Sequence, residues 1–424
     1  MGANHWKEAQ LADLIDIIHG FAFKGEYFRE EPPGDILLTP GNFAIGGGFK
    51  GDKLKYYDGP VPEDYVLDEG DLLVTMTDLS KVSDTLGYPS LVPKASPNSH
   101  FLHNQRLGKV LVNPDAPLHK EFLYYLLCSH PYRHEVLASA TGTTVKHTSP
   151  DRIKAFRFAL PPLDEQKEIA HILGTLDDKI ALNQQMNRTL EGIARALFKS
   201  WFIDFGPVRA KLDGRQPADM DAETAALFPD SFEDSNLGEI PKGWKVGKLG
   251  DLAEVIMGAS PKGDTYNEDG IGIPLVNGPV EFGDYFLIKR KWTTAPTRLT
   301  QLGDLVFCVR GSTTGRRVIA DDIYCLGRGV CAIRGLANNQ IFINQTIELG
   351  LERLLAKTTG SVFPNLGSSA FKEFEILNPT DSVVHNYCKL VKPLRNKIEA
   401  NIYEKGELQK IRDALLPKLL SGYA

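Results

Sequence analysis

The sequence predicts an α+β protein of two globular domains in tandem, each followed by a long helix. The two helices are expected to pair as an antiparallel coiled coil with pseudo-two-fold symmetry. Three observations predict this: the chain repeats itself, its globular stretches are short β-rich runs around one amphipathic helix, and its helical stretches carry a coiled-coil spacing.

The repeat comes first, because a missed repeat misreads the whole fold. "WKEAQLADLIDIIHGFAFKG" from Trp6 and "WKVGKLGDLAEVIMGASPKG" from Trp244 share nine of twenty positions. "GDLLVTM" (Gly70 to Met76) answers "GDLVFCV" (Gly303 to Val309). "TGTTVKHTSPDRIKAFRFALPP" from Thr141 answers "TGSVFPNLGSSAFKEFEILNP" from Thr359, and "LDDKIALNQQMNRTLEGIARALF" from Leu176 answers "LRNKIEANIYEKGELQKIRDALL" from Leu394. Four matched blocks in one order mark a tandem duplication. Its division is a first domain at 1–160, a central helical region at 161–203, an acidic connector with the second domain at 204–380, and a C-terminal helical region at 381–424.

Within each globular part, runs such as "DILLT", "DLLVTM", "GKVLV", "DLVFCV" and "GVCAIR" are bounded by Gly, Pro and Asn, as strands are. A twisted, largely antiparallel sheet is expected. One amphipathic helix is expected over "PLHKEFLYYLLCSHPYRHEVLA", with "NNQIFINQTIELGLERLLA" as its counterpart. Residues 204–243 read as a connector rich in Asp, Pro and Gly.

The helical regions follow. Pro161 and Pro162 end the last strand, and Asp164 can cap a short helix. Gly174 then reads as a break, as does Pro393 one position later in the aligned copy. Thr175 with Asp178 resembles a capping box for a longer helix. Its stripe is Leu176, Ile180, Asn183, Asn187, Leu190, Ala194, Leu197 and Trp201. The second copy gives Leu394, Ile398, Asn401, Lys405, Leu408, Arg412, Leu415 and Leu419. Alternating steps of four and three are a coiled-coil seam, in which Asn183 and Asn401 can fix register at some cost in stability. About 26 helical residues would span roughly 39 Å, a spacer length.

Composition limits the function. At 42% hydrophobic and 24% charged residues the chain is an ordinary soluble globular protein. No run approaches the length that crosses a bilayer, and the N-terminus lacks a signal-peptide layout. Five cysteines (Cys128, Cys308, Cys325, Cys331, Cys388) without a CxxC pair point to reduced, mostly buried thiols in a cytoplasm. The net charge of −6 argues against nucleic acid only until it is located: residues 204–239 alone hold six more acids than bases. The remainder is neutral and can carry basic faces.

Catalytic motifs are missing. "GGGFKG" (Gly46 to Gly51) fits G-x-G-x-x-G but is not followed by a helix, so a hairpin loop is the better reading. "GASPKGD" has Asp264 where a phosphate-binding loop needs Lys, and no N/D-P-P-Y/F methyltransferase motif occurs. Glu165-x-Lys167 resembles a nuclease fragment, yet Glu165 suits a helix first turn. His130 and His134 share a helical face with no third ligand at metal spacing.

Basic and hydroxyl-bearing loops remain. "VRGSTTGRR" holds Arg310, Ser312, Thr313, Thr314, Arg316 and Arg317, side chains that can reach phosphates and base edges or form a solvated turn. The equivalent "TMTDLSK", with Lys81, is far less basic. Thr143, Thr144, Lys146 and His147 in "GTTVKHT" are matched by Asn365 in the equivalent loop "GSVFPNL", and Arg106 and Arg328 lie near the "NQR" and "LGRG" turns. Lys24 and Lys262 are aligned and suit phosphate contact.

The run "LPPLDEQKEIAHILGTLDDKIALNQQMNRTLEGIARALFKSWFIDF" closely resembles the central region of specificity subunits of type I restriction-modification systems. The repeat layout resembles theirs across the chain. The resemblance implies a subunit without catalysis, whose two target-recognition domains each read half of a split, asymmetric double-stranded DNA target. Its helices would set the spacer. Two modification (methyltransferase) subunits would dock on them, with Leu176, Ile180, Asn183, Leu190, Leu197, Trp201, Leu394, Ile398, Asn401, Leu408 and Leu415 as the residues of the coiled coil and of partner docking. No cofactor or metal is expected on this chain; S-adenosylmethionine, ATP and Mg belong to the partners, among them the restriction subunits. "DSVVHNYCKLVKP" lacks the "LDEQ" opening, so the second helical region departs from the first at its docking end. The competing readings are a structural adaptor with two protein-binding domains and, third, a concealed nuclease or methyltransferase.

Overall fold

The computed structural model describes residues 6–78, 80, 83–236, 238–357 and 365–422. It divides into two compact units, one of residues 1–184 with 402–424 and one of residues 185–401. These units cut across the four consecutive segments of the sequence. A helix is assigned by what it packs on, and each long helix changes partners midway.

In unit 1 the alternation of "LLVT" explains two cores at once. The strand Leu72–Thr75 lies inside an antiparallel sheet ordered Ile15–His19, Leu107–Val112, Leu72–Thr75, Pro89–Leu91. Successive side chains point to opposite faces. Leu72 and Val74 join Ile15, Ile17 and Val110 in the core beneath the helices, whereas Leu73 and Leu107 join Ile36, Leu38, Phe43 and Phe101 on the other side. A second, five-stranded sheet covers that side; its pair Asp35–Leu38 and Phe101–His103 is parallel and its other pairs are antiparallel. Unit 2 repeats the device. Leu305 and Phe307 face one core, Val306 and Cys308 the other, in a sheet ordered Ala253–Met257, Val330–Gly335, Leu305–Cys308, Arg317–Ile319. The largely antiparallel sheet read from the sequence is present in both.

Each expected amphipathic helix is two. Lys120–Cys128 and His130–Ser139 meet at Ser129, and Gln340–Leu349 is followed by Leu351–Leu355. Pro131 in the first turn of the second helix is the start signal that the uniform apolar spacing obscured. The connector is also built: Gly206–Leu212, Ala222–Ala226 and a hairpin of Phe232–Ser235 with Gly238–Pro241 place Val208 and Phe228 in the core of unit 2. Its acids face outward because its apolar residues face in.

The long helices are continuous, Leu163–Phe202 and Asp381–Ser421. The expected breaks at Gly174 and Pro393, and the cap at Thr175, are therefore not helix ends, whereas Asp164 lies in the first turn of the central helix, one residue inside its start. A helical Gly costs only about 1 kcal/mol. A Cβ at Gly174 would find nothing nearer than the Tyr125 hydroxyl at 3.7 Å. Pro393 lies on an exposed face, and so does Lys389, whose carbonyl the proline leaves without a helical N–H partner. Thr175, mid-helix, donates to the His171 carbonyl at 2.7 Å.

Within each unit the two helices run in opposite directions. In unit 1, Asp177 accepts from Arg412 at 2.7 Å and from the Tyr125 hydroxyl at 2.9 Å, while Asn183 donates to Glu404 at 3.0 Å. In unit 2, Asn401 donates to Asn187 at 2.8 Å and the Tyr387 hydroxyl donates to the Ala194 carbonyl at 3.3 Å. The seam is as read: Ile180, Asn183, Trp201, Ile398 and Asn401 are buried, and Leu176, Leu190, Leu197, Leu394, Leu408 and Leu415 are half-buried. The buried members of this set pack between elements of the chain itself, in keeping with their coiled-coil role. The start of the central helix is fastened by Gln166, fully buried. Its amide donates to the Pro117 and Pro161 carbonyls, and its oxygen accepts from the His119 N–H, all at 2.8 Å.

Candidate nucleic-acid interface

In each unit the central strand leaves the sheet at one edge, and the same backbone bonds gather the same loops there. In unit 1 the Met76 N–H donates to the Arg106 carbonyl at 2.9 Å, and the Thr148 N–H donates to the Met76 carbonyl at 3.0 Å. The Phe21 N–H donates to the His103 carbonyl at 2.8 Å, and Thr77 pairs with His147. In unit 2 the Val309 N–H donates to the Gly329 carbonyl at 2.9 Å and the Leu366 N–H to the Val309 carbonyl at 3.0 Å. The Ala259 N–H donates to the Leu326 carbonyl at 2.9 Å, and Arg310 bridges Asn365. One scaffold is thus present twice, and the side chains on it differ.

On the edge of unit 1 the hairpin Thr141–His147 closes with bonds of 2.9 and 2.8 Å. Gly142 (φ +95°) is required there, since a Cβ would lie 2.0 Å from the Val145 carbonyl oxygen. Thr143 and Thr144 are exposed at its tip, Lys146 is half-buried, and His147 is exposed with Nδ1 3.1 Å from the Thr77 hydroxyl. Arg106 is exposed on the adjoining turn. Lys24, further along the segment that follows Phe21, is exposed beside Glu26 at 3.9 Å. Lys81 lies outside the described residues.

The adjoining loop is organised by Asp78, which sequence reasoning missed. Its carboxylate accepts from the Ser80 N–H (2.6 Å), the Thr85 N–H (2.6 Å), the Thr85 hydroxyl (2.9 Å) and the Leu86 N–H (3.0 Å). Burial alone would raise its pKa, but these donors outweigh burial and hold it below the ordinary carboxylate value. Arg133 completes the loop by donating to the Ser83 carbonyl and stacking 4.4 Å over the Tyr88 ring. The Asp-x-Ser spacing was the available signal, an Asx turn. His103, buried behind the edge, is pushed down to about 4 by desolvation; it stays neutral and bonds the Leu107 carbonyl at 3.0 Å.

On the edge of unit 2 the basic cluster divides. Arg310 and Ser312 are exposed. Thr313 is half-buried, its hydroxyl 3.3 Å from the Cys308 sulfur. Arg316 is exposed but donates to the Phe282 and Pro279 carbonyls at 3.1 and 3.4 Å, and Arg317 turns inward onto Glu348. Thr313, Arg316 and Arg317 therefore shape the loop. Arg328 and Lys262 are exposed on neighbouring turns, with the Arg328 N–H bonded to the Ser260 hydroxyl at 3.1 Å. By backbone position Arg328 answers Gln105 and Gly329 answers Arg106.

The motifs set aside from the sequence are structural here. Gly46 to Gly48 form the turn between the bridged Phe43 and Phe49. Glu165 accepts from the Trp6 indole at 2.9 Å. His130 and His134 stack at 6.3 Å on an exposed face. Among the described residues no group of three metal-ligating side chains occurs, and no helix is long and apolar enough to cross a membrane.

Comparison with known proteins agrees with this duplicated arrangement. The HindI type I restriction enzyme specificity subunit of Haemophilus influenzae is 27% identical, over 74% of this chain and 79% of that one. The putative MjaX type I restriction enzyme specificity subunit of Methanocaldococcus jannaschii is 27% identical, over 98% and 93%. The crystal structure of a type I restriction-modification S subunit from M. genitalium shares the fold, with a TM-score of 0.60 at 18% identity over 98% and 97% of the two chains. The family described as type I restriction modification DNA specificity domain matches residues 4–192 and again 241–408, and this chain belongs to that family.

Proposed function

We propose that each unit reads one half of a split, asymmetric DNA target and that the helices set the gap between the halves. The observation that carries this is the repeated edge: the same backbone bonds present Arg106, Lys146 and His147 in one unit and Arg310, Ser312, Arg328 and Asn365 in the other. A symmetric adaptor has no use for such divergence on a fixed scaffold. Modification subunits would dock on the exposed apolar residues of the long helices, Ile172, Leu182, Tyr403 and Ile411 in unit 1, Ile193 and Leu390 in unit 2. S-adenosylmethionine would enter with them, and ATP and Mg with restriction subunits, all in the cytoplasm beside the genome.

The test is genome-wide base-modification sequencing of a clean host expressing this chain with its neighbouring methyltransferase. Two short half-sites around a fixed gap are expected; no new modification, with both proteins expressed, would contradict the reading. Exchange of residues 1–150 for those of a relative should then change one half-site only. A change in both halves would refute independent reading.

The spacer role makes a second expectation. Because the helices run antiparallel within each unit, both must shorten together. Deleting Asn183 to Thr189 and Asn401 to Glu407 removes one heptad from each and keeps the seam in phase. The helix then loses about 10 Å, which corresponds to about three base pairs of gap. A modified motif with an unchanged gap would dispose of the ruler.

A further inference from the structure

The arginines at the edge of unit 2 are not equivalent. Arg317 is committed to Glu348 and Arg316 to two carbonyls. Arg310 and Arg328 are exposed, and among the described residues neither guanidinium has a carboxylate, carbonyl or ring partner. Their backbones, in contrast, are fixed: Arg310 by its bridge to Asn365, Arg328 by its N–H bond to the Ser260 hydroxyl. The two turns are tied by the Val309–Gly329 bond. Two exposed guanidinium groups carried on adjoining turns suit a ligand rich in acceptors.

Unit 1 offers the contrast on the same scaffold. The position of Arg310 is Thr77, buried and engaged by His147, and the position of Arg328 is the uncharged Gln105. A guanidinium is a planar fork that matches the O6 and N7 acceptors of guanine in the major groove; a lysine supplies only a point charge.

Resting on the DNA-reading function above, we propose that Arg310 and Arg328 read guanine in the half-target of unit 2. That half-site contains at least one G·C pair recognised through them, and the half-site of unit 1 does not depend on them.

The experiment is base-modification sequencing with Arg310→Ala, Arg310→Lys and Arg328→Ala, each expressed with the methyltransferase, beside duplex binding by the purified complexes. The half-site that survives exchange of residues 1–150 is assigned to unit 2. Relaxation of a G·C position in that half by Arg310→Ala or Arg328→Ala is expected. The other half should be unchanged, and binding to the original duplex should weaken on the order of 5- to 150-fold. Arg310→Lys should relax the same position although charge is kept. A motif that no variant relaxes, or weakening that is uniform across sequences with a shallower salt dependence, would overturn the proposal by making these residues bystanders or phosphate contacts. If the unmutated pair yields no split motif, the DNA-reading function fails with it, a result distinct from an intact motif indifferent to Arg310.

Discussion

Trp201→Ala is expected to cost about 3–5 kcal/mol of stability in unit 2. The indole is 3% exposed and sits 5.0 Å from the Phe228 ring and 6.0 Å from the Tyr387 ring, both rings buried. Phe198, Phe202, Phe342 and Trp244 extend the cluster. Removing Trp201 leaves a large cavity between the central helix, the C-terminal helix and the segment after Gly206, three elements that cannot collapse together. Trp244 remains as a fluorescent reporter of the same core, so the loss is read as a lower urea midpoint of its emission. Trp201→Phe, which keeps most of the ring volume, should lose far less. Ile193→Ala, on a side chain 49% exposed, should change stability by under about 0.5 kcal/mol. Equal midpoints for Trp201→Ala and the unmutated chain would show that the cluster does not hold unit 2.

Asp78→Ala should abolish recognition of one half-target while leaving the fold in place. The substitution strands the Ser80, Thr85 and Leu86 N–H groups that the carboxylate satisfies. Each unsatisfied buried donor costs about 1–3 kcal/mol, so the loop opens to water instead of holding its shape. The loop adjoins Thr77 and His147, hence the half-site of unit 1 is lost and that of unit 2 persists. The pH dependence has a definite sign. Because the pKa of Asp78 in the folded chain is depressed, its stabilisation is fully present above the ordinary carboxylate value of about 3.9. It declines as pH falls through the lower folded value, so the bonds to Ser80, Thr85 and Leu86 persist throughout the neutral range. Hydrogen exchange at Thr85 and Leu86 measures this directly: fast exchange in the unmutated chain at neutral pH would contradict the anchoring, as would a motif in which both half-sites survive Asp78→Ala.

The duplication, the sheets and the seam were legible because each rests on a periodicity that packing must respect. Leu72 to Val74 alternate between two cores, and Ile180 and Ile398 fall at the buried positions of a 3.5-residue repeat. The helix interruptions were misread for a related reason. Gly174 and Pro393 are local signals, whereas continuity is enforced by burial on either side of them, at Ile169, Leu173 and Ile180 and at Val391 and Ile398. The candidate interface was legible by type and not by role. A row of Arg and Thr is readable, but that Arg316 spends its charge on the Phe282 carbonyl and Arg310 does not depends on chain folding from thirty residues away. Asp78 was overlooked, and Gln166 and Arg412 were given no anchoring role, because their partners are distant or main-chain atoms, which no spacing rule reports.

The interleaving of the two compact units has a consequence for biosynthesis. Unit 2 is one uninterrupted stretch, residues 185–401, and can close as soon as that stretch has left the ribosome. Unit 1 begins first and finishes last. Its core stays open along the side that Leu415, Leu416, Leu419 and Leu420 later cover, while more than two hundred further residues are made. During that interval the nascent chain carries a bare apolar strip, a natural client for a chaperone. A frameshift or nick that removes residues 402–422 would injure the first-made domain and spare the second.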